Sequence, residues 1–275
     1  MRRVWRRLLA RPVGVISLAV VVLLVVAGLA APVLTPGDPN AISNDVLQPP
    51  GFAHPLGTDE LGRDVLRDIL NGVRISLTVG VLSALGAVLL GGAVGAVAGA
   101  RGGWLDSAAM RVAEMFQVVP SFILAAVIAA LSGPGLWQVV VVITTLSWPQ
   151  PARVMRGEVL RIKQLDFVDA VRCLGIGGRR ILLGEILPNA FAPVLAVGTL
   201  LVGTAILLEA SLSFLGLSNP DVVSWGRMLN SGQRYLFLAW WLSVFPGLAI
   251  VVTVLSFNLL GDAVAAALAP GSGKR

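Results

Sequence analysis

The chain has 275 residues, 56% of them hydrophobic and only 13% charged, with a net charge of +6. Soluble domains carry roughly a quarter charged residues, so the composition excludes an ordinary water-soluble globule and points to a bilayer. The lone cysteine, Cys173, and the lone histidine, His54, exclude an internal disulfide, a two-thiolate metal site and a histidine-cluster metal centre.

In chain order, residues 1–12 form a basic N-terminus, MRRVWRRLLARP. An apolar run at 13–34 follows. It meets the need of a spanning helix for about 20 apolar residues and exceeds the core of a cleaved signal, so it is expected to stay as an anchor. The segment 35–74 is acid-rich, and an amphipathic helix is expected within TDELGRDVLRDIL. Thr58 is placed to cap it, Asp59 and Glu60 suit the positive end of the helix dipole, and Leu61, Val65 and Ile69 form its apolar stripe. Asp59, Glu60, Arg63 and Asp64 offer either a docking surface or the charge pairs of an interfacial helix.

A second span is expected at 75–100. Its sequence GGAVGAVAGA puts Gly91, Gly95 and Gly99 on one face. Small residues four apart let helix backbones approach, between subunits or, more plainly, within one chain. The long run after it divides at the turn SGPG, 132–135, into a third span at 107–131 and a fourth at 136–152. Arg111 and Glu114 are spaced to pair, and Pro120 is expected to kink the third span.

The fifth span, 189–217, contains Glu209. An ionisable group inside a span usually faces the bundle interior or a water path. Glu209 with Ser211 is therefore a candidate pathway or gate. The structural alternative is a carboxylate hydrogen-bonded to Ser211 or Ser213. An outer loop at 218–234, a sixth span at 235–261 containing Pro246, and a tail at 262–275 complete the chain. With six spans the basic N-terminus, Arg101, the loop 153–188 and the tail residues Lys274 and Arg275 all fall on one side. The positive-inside rule then puts both termini in the cytoplasm.

The loop 153–188 has internal order. Asp166 is placed to cap a short helix in which Val168, Val171 and Leu174 recur at helical spacing. Gly175, Gly177 and Gly178 break it, and a second short helix, Arg179 to Leu187, leads through Pro188 into the fifth span. Such a surface helix pair can serve as a handle for a partner. The tail GSGKR lacks the spacing of a phosphate-binding loop, His54 has no catalytic partners, and the basic clusters lack the interleaved aromatics of a nucleic-acid surface. Neither nucleotide binding, catalysis nor nucleic-acid binding is expected of this chain.

Asp169-Ala170-Val171, Gly175 and Leu187-Pro188 resemble the EAA loop of ABC importer permeases, which reads Glu-Ala-Ala, three residues, Gly, nine residues, Ile, any residue, Leu-Pro. This chain has Asp169 for the Glu, Val171 for the second Ala, and Glu185 at the Ile position with Ile186 beside it. HPLGTDELGRDVLRDILNGVRISLTVG (54–80), EASLSFLGL (209–217), SWGRML (224–229) and LAIVVTVLSFNLLGDAVAAALAP (248–270) are similar to the dipeptide, oligopeptide and nickel permeases, in particular the second, C-type subunit. The resemblance implies an all-α integral membrane protein of the type I ABC importer permease fold, in a bacterial-type cell membrane.

It further implies that Asp169, Ala170, Val171, Gly175, Leu187 and Pro188 couple the chain to one or two ATP-binding subunits. Those subunits would bind ATP and Mg, leaving this chain without a cofactor, a metal or a catalytic residue. A second permease would complete a heterodimer, and an extracytoplasmic substrate-binding protein would dock near Asp59, Glu60, Arg63 and Asp64. The implied cargo is di- or oligopeptides, with nickel complexes or haem-like compounds as alternatives. The competing reading is a self-sufficient secondary transporter or channel, a class that often shows internal repeats and midplane ionisable residues.

Overall fold

The fold is that of a computed structural model describing residues 8–34, 41–219 and 222–268. Most of the basic N-terminus and the end of the tail lie outside the described residues. Among the described residues the chain is helical, with one isolated β-bridge, Thr58 to Asp64.

Helix α1, Pro12–Leu34, is a run of 23 almost wholly apolar residues. Helix α2, Val65–Arg101, has 37 residues and is capped by the Asp64 carboxylate, which accepts from the amides of Leu66 (2.9 Å) and Arg67 (3.2 Å). At 1.5 Å per residue it is about 55 Å long, well beyond the ~30 Å hydrocarbon core. The expected amphipathic helix is therefore the first turns of the same rod as the second span. It also begins later than expected, at Asp64 and not Thr58. The reason is a tight turn over 58–64. Asp59 accepts from the amides of Leu61 and Arg63, both at 2.8 Å, and Gly62 takes a left-handed φ of +72° that an α-helix cannot contain.

Helices α3, Gly103–Val118, and α4, Ser121–Ser132, meet at 88°. Pro120 has no amide hydrogen to donate, and its ring forces Val119 into extended backbone (φ −82°, ψ 133°). The kink expected at Pro120 is thus a full break of the apolar run 107–131. Helix α5, Leu136–Ser147, runs through Trp148 into α6, Pro149–Ile162. Helix α7, Asp166–Cys173, and α8, Gly178–Ile181, form the intervening loop. A π-helical turn, Leu182–Ile186, then passes into α9, Leu187–Phe214. Helix α10, Trp225–Gly232, a 3₁₀ turn at Gln233–Tyr235, and α11, Trp241–Leu268, end the described chain.

Among the described residues four helices are long and apolar enough to cross a membrane: α1, α2, the continuous stretch Gly178–Phe214, and α11. The bent pair α3–α4 makes a fifth if its halves form one span, and α5 is a shorter apolar helix. Helix α11 starts six residues later and runs further towards the C-terminus than the expected span at 235–261.

The helices close around α2 and α9. At one end Trp225 is fully buried among Val73, Ile206 and Ala210, and its indole nitrogen donates to the Ile69 carbonyl at 3.1 Å. At the other end Val88, Met155, Val159, Val168, Ile186 and Val194 form a second apolar cluster. Between them the glycine face of α2 packs on α6. A Cβ on Gly91 would strike the carbonyl of Trp148, and one on Gly95 the carbonyl of Ala152. The small-residue face is filled within the chain.

Candidate functional site

The loop between α6 and α9 is built from anchored and free positions. Helix α6 buries Met155, Val159 and Ile162. Lys163 follows, and its ammonium donates to the carbonyls of Gly99 (3.2 Å) and Ala100 (2.9 Å), closing the C-terminus of α2 where a cation is favoured. Only Gln164 and Leu165 separate this anchor from α7. Asp166 is the first residue of α7; the cap position is Leu165, and no side chain caps it.

Val168 is fully buried beside Val159, Ile181 and Ile186, while Val171 is half-buried. Leu174 is 78% exposed. The expected stripe of three therefore divides: Val168 holds the helix down and Leu174 faces outward. Asp169 and Arg172 pair at 2.7 Å on the exposed side, and Ala170 and Cys173 are exposed as well. Gly175 takes a φ of +79°, and nothing lies within 4 Å of where its Cβ would be. Glycine is needed there for its backbone angle, since the space is open. Asp169, Ala170 and Gly175 thus share one exposed cap with Leu174.

Leu187, half-buried, and Pro188, exposed, stand at the root of α9 rather than on this cap. The π turn before them accounts for the displaced isoleucine. It holds an extra residue per turn and so rotates the phase of the helix. Glu185 is turned out, and Ile186 is 3% exposed in the cluster that contains Val168. The cap and the root of α9 are joined through this apolar contact. The exposure of Leu174 and of Phe167 (41%) had no sequence signal, because both lie at spacings that suit either a buried or an exposed face.

Glu209 lies deep in the bundle, 1% exposed. Ser213 on the same helix donates to one carboxylate oxygen at 2.6 Å, and Ser76 on α2 to the other at 3.3 Å. Ser224, the N-cap of α10, is a third hydroxyl partner. Ser211 turns away and donates to the Leu207 carbonyl of its own helix at 2.7 Å. The carboxylate thus ties α2, α9 and α10 together, and Ser211 does not share its site.

At the start of α2, the Asp59 carboxylate also receives Arg63 Nε at 2.6 Å, and both side chains are nearly buried. Burial works against the charge of Arg63, but the hydrogen bond it donates to Asp59 and the charge of that carboxylate outweigh burial and hold the guanidinium above its ordinary pKa. Asp64 accepts from His54 Nδ1 at 2.9 Å in addition to capping α2. Asp59, Arg63 and Asp64 shape the turn; Glu60 is half-buried beside them. Phe52 and Phe237, both outside the helices, are the two rings most fully exposed among the described residues, and the sequence did not single them out.

The expected pair Arg111–Glu114 does not form. Asp106 on α3 instead accepts from two of the guanidinium nitrogens of Arg156 on α6, Nε at 2.5 Å and Nη2 at 2.6 Å. Among the described residues no group of three or more His, Cys, Asp or Glu is placed to hold a metal ion.

The family described as binding-protein-dependent transport system inner membrane component matches residues 91–274. The chain belongs to that family. It is a permease subunit of an ABC importer, seated in the inner membrane as a multi-pass protein. Residues 1–50 also match the N-terminal transmembrane domain of oligopeptide transport permease C. A putative peptide transport system permease of Brucella suis is 39% identical over 267 residues, covering 96% of this chain and 90% of that protein. The glutathione transport system permease GsiD of Pectobacterium atrosepticum is 39% identical over 272 residues, 98% and 90% of the two chains. The dipeptide permease DppC of Bacillus subtilis is 38% identical over 270 residues, 97% and 84%. Among solved structures, an inward-facing MetNI methionine ABC transporter chain aligns with a TM-score of 0.61 at 20% identity, over 74% of this permease and 97% of that chain. That likeness is one of fold.

Proposed function

We propose that this permease is the C-type subunit of a binding-protein-dependent importer of di- or oligopeptides, and that α7 is its coupling helix. The observation that carries the reading is the exposed cap Asp169–Ala170–Leu174–Gly175, anchored from beneath by Val168 to the root of the long rod that ends at Phe214. An exposed leucine at the end of a short helix, over an open left-handed glycine, is the kind of surface a second protein covers. One or two ATP-binding subunits cover it, and hydrolysis takes place there. A displacement of α7 is handed to α9 through Val168 and Ile186.

The relatives named for peptides, dipeptides and glutathione support a peptide cargo. In this reading the chain passes the membrane six times: α1, α2, the bent pair α3–α4, α5 with the start of α6, the Gly178–Phe214 stretch, and α11. Both termini and α7 face the cytoplasm, because the basic residues follow that side. A second permease completes the pathway, and an extracytoplasmic binding protein docks over the turn around Asp59 and the exposed rings of Phe52 and Phe237. Glu209 serves as a tie between helices at the pathway wall.

The test is reconstitution of the permease pair with its ATPases and binding protein in liposomes, followed by uptake of a labelled dipeptide. Uptake that needs ATP inside and the binding protein outside supports the reading. Uptake by this chain alone, without ATP, overturns it in favour of a secondary transporter.

A further inference from the structure

On the same side as α7, a cleft of about 480 Å³ opens between the C-terminus of α2 and the helices of the loop. Four cations from four separate elements line it: Arg101, Lys163, Arg172 and Arg179. No carboxylate does. Lys163 is held by the end of α2, and Arg172 is paired with Asp169. Arg101 and Arg179 are exposed and enter no ion pair among the described residues. The floor is apolar, with Val97 and Leu182 on it.

A basic rim over an apolar floor fits a ligand with an anionic head and a hydrocarbon body. The helix that supplies the floor extends that pattern. Leu90, Val97 and Arg101 stand at i, i+7 and i+11 on one face of α2, and Leu90 and Val97 are 44% and 48% exposed. An acyl chain can lie along Leu90 and Val97 while its phosphate meets Arg101 and Arg179. A free phosphate would gain nothing from that track.

We infer that this cleft is a binding site for an anionic phospholipid headgroup, held at the cytoplasmic end of α2 beside the coupling helix. Basic pockets between membrane helices on this face are suited to such headgroups. The occupant bridges α2, α6, α7 and α8, so it braces the coupling helix against the 37-residue α2. The inference goes beyond peptide import: it needs only that this face meets the inner leaflet.

The experiment takes the assembled transporter in nanodiscs of equal phosphatidylglycerol and phosphatidylcholine, and counts retained lipids by native mass spectrometry after release. The native complex should keep phosphatidylglycerol in preference to phosphatidylcholine, with no displacement by excess inorganic phosphate. Arg101→Gln with Arg179→Gln should weaken that retention about 25-fold, at roughly fivefold per charge. Arg180→Gln, an exposed neighbour outside the cleft, should leave it unchanged.

Equal retention of the two lipids overturns the inference, as does an equal loss in Arg180→Gln. Displacement by phosphate assigns the site to a soluble anion and also overturns it. Dissociation of the ATPases from the double variant in both lipids assigns the cleft to a protein contact, with the same consequence. None of these results bears on ATP-dependent uptake, which tests the transport reading separately.

Discussion

Gly95 on α2 rests against the carbonyl of Ala152 on α6, so closely that no side chain fits between them. Gly91 meets Trp148 in the same way one turn earlier. These two contacts seat α6 against the longest helix, and Lys163 then ties the end of α6 to the last carbonyls of α2. Helix α7 starts three residues later. Its position is therefore set by α2 on one side and by α9, through Val168 and Ile186, on the other.

Gly95→Val should be among the most damaging single substitutions outside the loop. The obstacle is backbone, which cannot rotate away, and overpacking a tight contact costs about 1–3 kcal/mol or more. Gly92→Ala is the matched control, because its Cβ would meet only the end of Met155 at 3.7 Å, an ordinary contact. Yield of monodisperse protein and the melting temperature in detergent decide the matter. Equal behaviour of the two variants would show that α2 and α6 do not pack as closely as described.

Glu209→Gln should be nearly silent and Glu209→Leu should not. The glutamine keeps an acceptor for Ser213 or Ser76, and its amide can donate to a hydroxyl that turns round. Leucine removes the carboxylate acceptor from all three hydroxyls and leaves Ser224 only the Arg227 amide, and a buried polar group without a partner costs about 1–3 kcal/mol. Thermal melting in detergent should separate the two, with hydrogen exchange at the start of α10 rising only in the leucine variant. If Gln and Leu both abolish transport while melting like the native chain, Glu209 belongs to the cargo path and not to the scaffold.

The large divisions of this fold were legible because hydropathy and glycine spacing act locally. A run of apolar residues at 13–34 has no other use than a span, and Gly91, Gly95 and Gly99 have no side chains to pack any other way. The sequence points to a helix start at Thr58 because Thr58, Asp59 and Glu60 are individually good first-turn residues. What overrides them is Gly62, whose positive φ is set by a turn that Asp59 itself closes. Pro120 by itself implies only a kink, since prolines in spans commonly bend them; the near-right-angle break depends on Val119 going extended. On the loop, Gly175 and the Leu187-Pro188 pair were recognisable by spacing. The opposite fates of Val168 and Leu174 were not: six residues at 3.6 per turn set them about 120° apart around the helix, and the sequence is silent on which of the two directions is covered.

Asp64 should prove to be the residue that starts α2. Asp64→Ala removes the acceptor for the amides of Leu66 and Arg67 and for His54, and the loss of such a cap costs about 0.5–2 kcal/mol. Asp64→Asn keeps a capping oxygen and should retain most of the stability. Hydrogen exchange at residues 66–68 reports the first turn directly. Faster exchange in the alanine variant alone is the expected result; no change in either would return the helix start to the Thr58 turn.

Val168 lies within α7 and Leu174 caps its C-terminus, yet they should fail in different ways. Val168→Asp places a charge in the cluster with Val159, Ile181 and Ile186, where burial without a partner is strongly unfavourable. That variant should lose α7 itself and melt lower. Leu174→Asp changes a side chain that is 78% exposed, so the permease should insert and melt as the native chain does. Its effect belongs to the partner: a leucine covered by an ATPase subunit sits in an apolar contact that a carboxylate breaks, and central contacts of this kind cost 2 kcal/mol or more, about thirtyfold in affinity. Co-purification of the ATPases, set beside the melting curve of the same preparation, reads both at once. Full retention of the ATPases by Leu174→Asp would remove α7 as the coupling surface, whereas their loss from a normally folded permease places the contact on the exposed end of that helix.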